Sequence, residues 1–125
     1  TQSGRWKSLA LKSQNGDPTN TYAHDHYQQD ENYQLTEVAK QCPEAMKIIS
    51  QVTDVSLCQR IRFMLLGPGA KVHVHRDSEE HEVSLAINIA LNMPEACDFW
   101  IDCNDKGRHD SFTRSIPVEA GRAVL

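Results

Sequence analysis

At 125 residues, with 13 Lys and Arg against 17 Asp and Glu, the chain is sized for one domain and carries a net charge of −4. The basic residues are scattered singly, so no nucleic-acid partner is expected. No apolar stretch approaches the roughly 18 to 20 residues of a membrane span, and no charged start leads into an apolar leader. A cytoplasmic, non-membrane protein is the expectation.

In chain order, Trp6 to Lys12 alternates well enough for a first strand, which Gln14-Asn15-Gly16-Asp17-Pro18 ends. Residues 19 to 34 are polar and aromatic without a period and read as loop. Within them Tyr22-Ala23-His24-Asp25-His26-Tyr27 is a dense cluster: solvated histidines, or a lid over a cavity mouth. Thr36 can cap a short helix over Glu37 to Gln41. Pro43 suits the first turn of a second helix to about Gln51, with Ala45, Ile48, Ile49 and Val52 on one face.

From Val55 the texture changes to short strands separated by turn signals. The expected strands are Val55 to Leu66, Ala70 to His75 after a Gly67-Pro68-Gly69 turn, and Val83 to Asn92 after an acidic loop from Asp77 to Glu82. In the third, Leu85, Ile87, Ile89 and Leu91 alternate with Ser84, Ala86, Asn88 and Ala90. One face is core, and the other is small and polar like a cavity wall. Met93 to Ala96 then turns into a strand over Cys97 to Cys103. Asn104 to Gly107 connects it to Arg108 to Ile116, and Pro117 to Gly121 turns into a last strand. The four cysteines, Cys42, Cys58, Cys97 and Cys103, lack zinc-site spacing and are too few for a secreted disulfide framework, so buried free thiols are expected. The fold class is mainly β: a double-stranded β-helix, or jelly roll, with a short N-terminal helical segment, as a single domain over 1 to 125.

His75-Arg76-Asp77 is the most chemically pointed feature. In a strand, residues i and i+2 share a face, so an imidazole and a carboxylate converge on one spot. They are two-thirds of the facial triad by which non-heme Fe(II) oxygenases leave three positions open. His73 shares their parity and is a pocket or edge histidine. His109, beside Asp110 near a turn, reads as solvated.

With those residues in order, Ile61 to Leu125 resembles the aspartyl/asparaginyl β-hydroxylase family, which includes bacterial members that hydroxylate free amino acids such as proline. The family's run of Leu-x-Pro-Gly, five residues and His-x-Asp is matched by Leu66-Gly67-Pro68-Gly69, Ala70 to Val74 and His75-Arg76-Asp77. Val83 to Asn92, Asp98 to Ile101, Glu119-Ala120-Gly121 and Arg122 to Leu125 are similar to later family segments. Trp6 to Leu11 and Gln41-Cys42-Pro43 look like its N-terminal part.

The resemblance implies a jelly-roll hydroxylase using Fe(II), with 2-oxoglutarate as co-substrate, acting on an amino acid, a peptide side chain or a related small molecule. His75 and Asp77 are then the catalytic metal ligands, and Ser84 and Asn88 line the co-substrate pocket. On the strand after His-x-Asp, where the family commonly has Arg and His, this chain has Ser84 and Ala86. By the family pattern the distal histidine and a basic 2-oxoglutarate partner fall beyond Leu125, so the segment is expected to be cut short of them.

Two other readings remain. Gly67, His73, His75 and Glu79 fit the first motif of a cupin metalloenzyme, although Ala86 stands where that motif wants Gly. A non-catalytic jelly-roll binding module is the other.

Overall fold

The structure, a computed structural model, describes residues 6–20, 32–73, 86–103, 112–121 and 123–124. Two compact units divide the chain, Thr1–His73 and Val74–Leu125. Among the described residues there are seven strands, all paired antiparallel, and two helices, so the protein is mainly β.

The first unit is built on one central strand, β1 (Trp6–Gln14), flanked by β2 (Tyr33–Leu35) and β3 (Ile61–Leu66) in the order β2-β1-β3. A strand with neighbours on both edges has its backbone satisfied and its middle shielded, and Ala10, Leu11, Lys12 and Ser13 are all buried. Opposite β3 the register steps from Ala10↔Arg62 to Lys12↔Ile61. Leu11 is thus an extra residue, a bulge, which releases its carbonyl from the β3 ladder to accept the Thr36 N–H at 2.9 Å.

Thr36 then starts the first helix, α1 (Glu37–Gln41). Its hydroxyl donates to the Ala10 carbonyl at 2.8 Å and accepts from the Ala39 N–H at 3.4 Å. Cys42 interrupts, and Pro43 opens α2 (Pro43–Val52), where its missing N–H costs nothing. The expected apolar face of α2 is only partly covered, with Ile48 44% and Val52 40% exposed.

The structure corrects several boundaries. The loop expected over 19 to 34 contains part of β2. Tyr33–Leu35 shows no alternation long enough to read, and it extends because β1 offers it an edge through Gln14↔Tyr33 to Lys12↔Leu35. Val55 to Leu66 is not one strand, because Val55–Leu57 is a single 3-10 turn. Asp54 Oδ1 accepts from the Ser56 hydroxyl at 2.7 Å and the Ser56 N–H at 2.9 Å, closing the chain on itself. The buried ammonium of Lys12 donates to the Val55 carbonyl at 2.8 Å and the Ser56 carbonyl at 3.2 Å, fastening that turn to β1. Lys71 to His73 form no strand and are exposed; Val74 and His75 lie outside the described residues.

In the second unit, β4 (Asn88–Ile89) pairs with β7 (Ala123–Val124), and β5 (Phe99–Cys103) pairs with β6 (Phe112–Ile116). The Gly121 N–H donates to the Ala90 carbonyl at 2.7 Å, so the expected terminal turn feeds the last strand alongside β4. Of the strand expected over Val83 to Asn92, only Asn88–Ile89 lies in a ladder; 83 to 85 fall outside the described residues. Leu91 was expected in the core but is 63% exposed, because the chain leaves the ladder at Ala90 before the alternation reaches it. β5 begins two residues later than expected, after a turn closed by the Cys97 N–H on the Pro94 carbonyl at 3.2 Å. Cys42, Cys58 and Cys97 are free, as expected, yet none is buried and Cys97 is exposed.

Removing the Thr36 hydroxyl leaves the Ala10 carbonyl without that donor inside the protein. Thr36→Ala should lower unfolding free energy by about 2 kcal/mol, and Thr36→Ser, which keeps the hydroxyl, by clearly less; urea melts of the three proteins check it.

Asp54 titrates below its ordinary 3.8, held there by the Ser56 hydroxyl and then by the Ser56 N–H. The folded state therefore favours the carboxylate. The resulting stability is present above the unfolded value and is lost as pH falls through the lowered folded value. Asp54→Ala should be less stable than the parent at neutral pH, and the gap should close in acid. A gap that stays constant across that range in denaturant melts would contradict the assignment.

Candidate active site

The sequence motif nearest the described structure is Leu66-Gly67-Pro68-Gly69. β3 delivers it, and the turn is closed by the Ala70 N–H on the Gly67 carbonyl at 3.0 Å, with Gly69 at φ 72°. That left-handed backbone is open to glycine at little steric cost. His73 follows, exposed, at the end of the first unit. His75, Asp77, Glu79 and Ser84 lie outside the described residues, as do His24, His26 and His109.

Of His75, Asp77, Ser84 and Asn88, the structure describes Asn88. It stands in β4 opposite Val124 and is exposed. Around it, Ala86 and Asn88 are exposed while Ile87 and Ile89 are half-buried, so the small and polar residues share one face of this segment. Among the described residues, no three His, Cys, Asp or Glu side chains gather where they could hold a metal ion.

Two contacts in the first unit carry no signal in a linear reading. The Arg62 guanidinium lies 5.4 Å from the centre of the Trp6 ring, a cation–π contact between β3 and β1. Trp6 is paired with Leu66 and Arg62 with Ala10, so the two meet only because the register brings their strands together on one face. Lys12 is the other, a strand lysine only 7% exposed. Its sequence context is that of an alternating strand, and its carbonyl partners are more than 40 residues away.

The family model for aspartyl/asparaginyl β-hydroxylase matches residues 1–110. The chain belongs to that family. The match takes in the whole of the first unit, the His75-Arg76-Asp77 segment, β4 and β5. No curated protein and no solved structure matches the chain. The family is one of hydroxylases, which makes this an enzyme fold, and among the described residues no helix is long and apolar enough to cross a membrane.

The face assignment around Asn88 has a direct consequence. Ile87→Ala should destabilise by about 1 to 2 kcal/mol, below the usual range for a fully buried isoleucine because Ile87 is half-buried. Ala86→Phe should leave stability nearly unchanged. Thermal melts in the reverse order would mean that the two faces are exchanged.

Proposed function

We propose that this chain is an Fe(II)- and 2-oxoglutarate-dependent hydroxylase of jelly-roll architecture, acting on an amino acid, a peptide side chain or a related small molecule. The observation that carries the reading is membership of the aspartyl/asparaginyl β-hydroxylase family over residues 1–110, a span that contains His75-Arg76-Asp77. The antiparallel pairing of every strand among the described residues supports the architecture.

The donor chemistry fits Fe(II). One imidazole from His75 and one carboxylate from Asp77 are the ligand types of a facial triad, at the spacing that puts both on one face of an extended chain. When bound, Fe(II) with 2-oxoglutarate and dioxygen supplies the oxidising power that converts an unactivated C–H to C–OH. His75 and Asp77 would hold the metal, and the Asp77 carboxylate would offset part of its positive charge. Ser84 and Asn88 contribute a hydroxyl and a carboxamide, neutral groups that orient a polar co-substrate by hydrogen bonds. Apolar Ile87 and Ile89, turned away from them, keep that face in place.

The test is succinate formation from 2-oxoglutarate with Fe(II), across panels of free amino acids and peptides. The parent protein should couple succinate to hydroxylation of one class. His75→Ala and Asp77→Ala should each abolish both, with urea midpoints close to the parent. His73→Ala and Glu79→Ala should keep activity. Equal loss in all four variants would favour the cupin arrangement over this one, and no turnover by the parent with any substrate class would favour a binding module.

A further inference from the structure

We propose that Asn15 is a deamidation site whose chemistry the fold holds shut, so that its modification marks molecules that have opened the β1–β2 edge. Asn15-Gly16 is the only Asn-Gly pair in the chain. In an Asn-Gly pair the glycine nitrogen, unhindered by a side chain, can attack the asparagine side-chain carbonyl carbon. A new N–C bond forms, ammonia leaves, and a five-membered imide results. Water then opens the imide at either carbonyl, leaving aspartate or isoaspartate. Only water is consumed.

In the folded chain, three features oppose that attack. Asn15 has φ 60° as the third residue of a turn, closed by the Gly16 N–H on the Ser13 carbonyl at 3.2 Å. The nucleophilic nitrogen therefore keeps its proton in a hydrogen bond, and the left-handed backbone of Asn15 is held in a turn that must deform for the ring to close. The Asn15 N–H donates to the Asn32 carbonyl at 2.7 Å, prolonging the β1–β2 ladder past Gln14↔Tyr33. Gly16 is seated against β2: a Cβ there would stand 3.4 Å from the Leu35 carbonyl oxygen and 3.6 Å from Gln34 Cβ. Asn15 itself is exposed, so water is at hand and the backbone is the obstacle.

The products also differ in what the fold tolerates. Aspartate fits the same turn, since Asp adopts left-handed backbone nearly as readily as Asn. Isoaspartate adds a backbone carbon between the Asn32 contact and the Ser13 contact, so both cannot be made together. A molecule that reacts while open and forms isoaspartate should not regain this edge.

The experiment incubates the full chain at mildly alkaline pH, once folded and once in urea, and follows the gain of one mass unit in the peptide holding Asn15 by peptide mapping. In urea, Asn15 should convert ahead of the other asparagines. Folded, it should convert on the order of tenfold or more slowly, since reaction then waits on local opening. Equal rates in the two conditions would overturn the protection, and another asparagine leading in urea would overturn the site. As a second measurement, Asn15→Asp should melt with the parent, while isoaspartate-containing chains, separated and returned to buffer, should melt lower. A shared melting temperature for all three would overturn the claim about the edge.

Discussion

The first unit depends on what happens at one bulge in β1. A central strand normally spends its carbonyls on its two neighbours, but the extra residue Leu11 frees one, and Thr36 takes it while its hydroxyl takes the Ala10 carbonyl. Those two bonds decide where α1 begins. Because α1 runs straight into Cys42 and the Pro43 start of α2, they also fix the entry of the second helix. Lys12, the next residue along, does the same for the opposite end of the segment by gripping the Val55 and Ser56 carbonyls just before β3. Three consecutive buried residues, Ala10, Leu11 and Lys12, thus tether both ends of the 36-to-57 stretch. An ammonium so buried is tolerable only where its donors find acceptors, and two of its three N–H groups find the Val55 and Ser56 carbonyls.

Local chemistry was legible in the sequence, and pairing was not. The Thr36 cap, the Pro43 helix start, the Gly67-Pro68-Gly69 turn and the Ala120-Gly121 turn all stand where residue type and near neighbours put them. Each is settled within about four residues. β2 is the opposite case: nothing in Tyr33-Gln34-Leu35 demands extension, and only the β1 edge creates it. Val55-Ser56-Leu57 reads apolar and β-prone, yet the Asp54 side chain and a lysine from another strand fold it into a turn. Leu91 shows the same limit from the other side, since alternation continued past the point where the ladder stops.

The candidate site divides along the same line. The proposed ligand pair, His75 and Asp77, is a sequence-level candidate because its chemistry needs two residue types at one spacing, which a linear reading contains. A third ligand and a co-substrate anchor depend on strands meeting across the fold, and spacing does not encode that. Family membership supplies the class of reaction for the span that holds the pair. Of the candidate residues on that span, Asn88 has an observed environment, exposed in β4 on the same face as Ala86.

What distinguishes this member within the proposed chemistry is the strand that follows the ligand pair. By the sequence resemblance, Ser84 and Ala86 stand where the family commonly has Arg and His. A hydroxyl can donate one neutral hydrogen bond to a carboxylate, whereas an arginine donates two charge-assisted ones, each roughly twice as strong. If the co-substrate's carboxylate is held firmly, the charge that holds it must therefore come from another strand. Under the proposed chemistry, Ser and Ala at those two positions would leave more room and less fixed positive charge beside His75 and Asp77. Such a face would suit a substrate held by shape and neutral hydrogen bonds, of which the exposed Asn88 carboxamide would supply one.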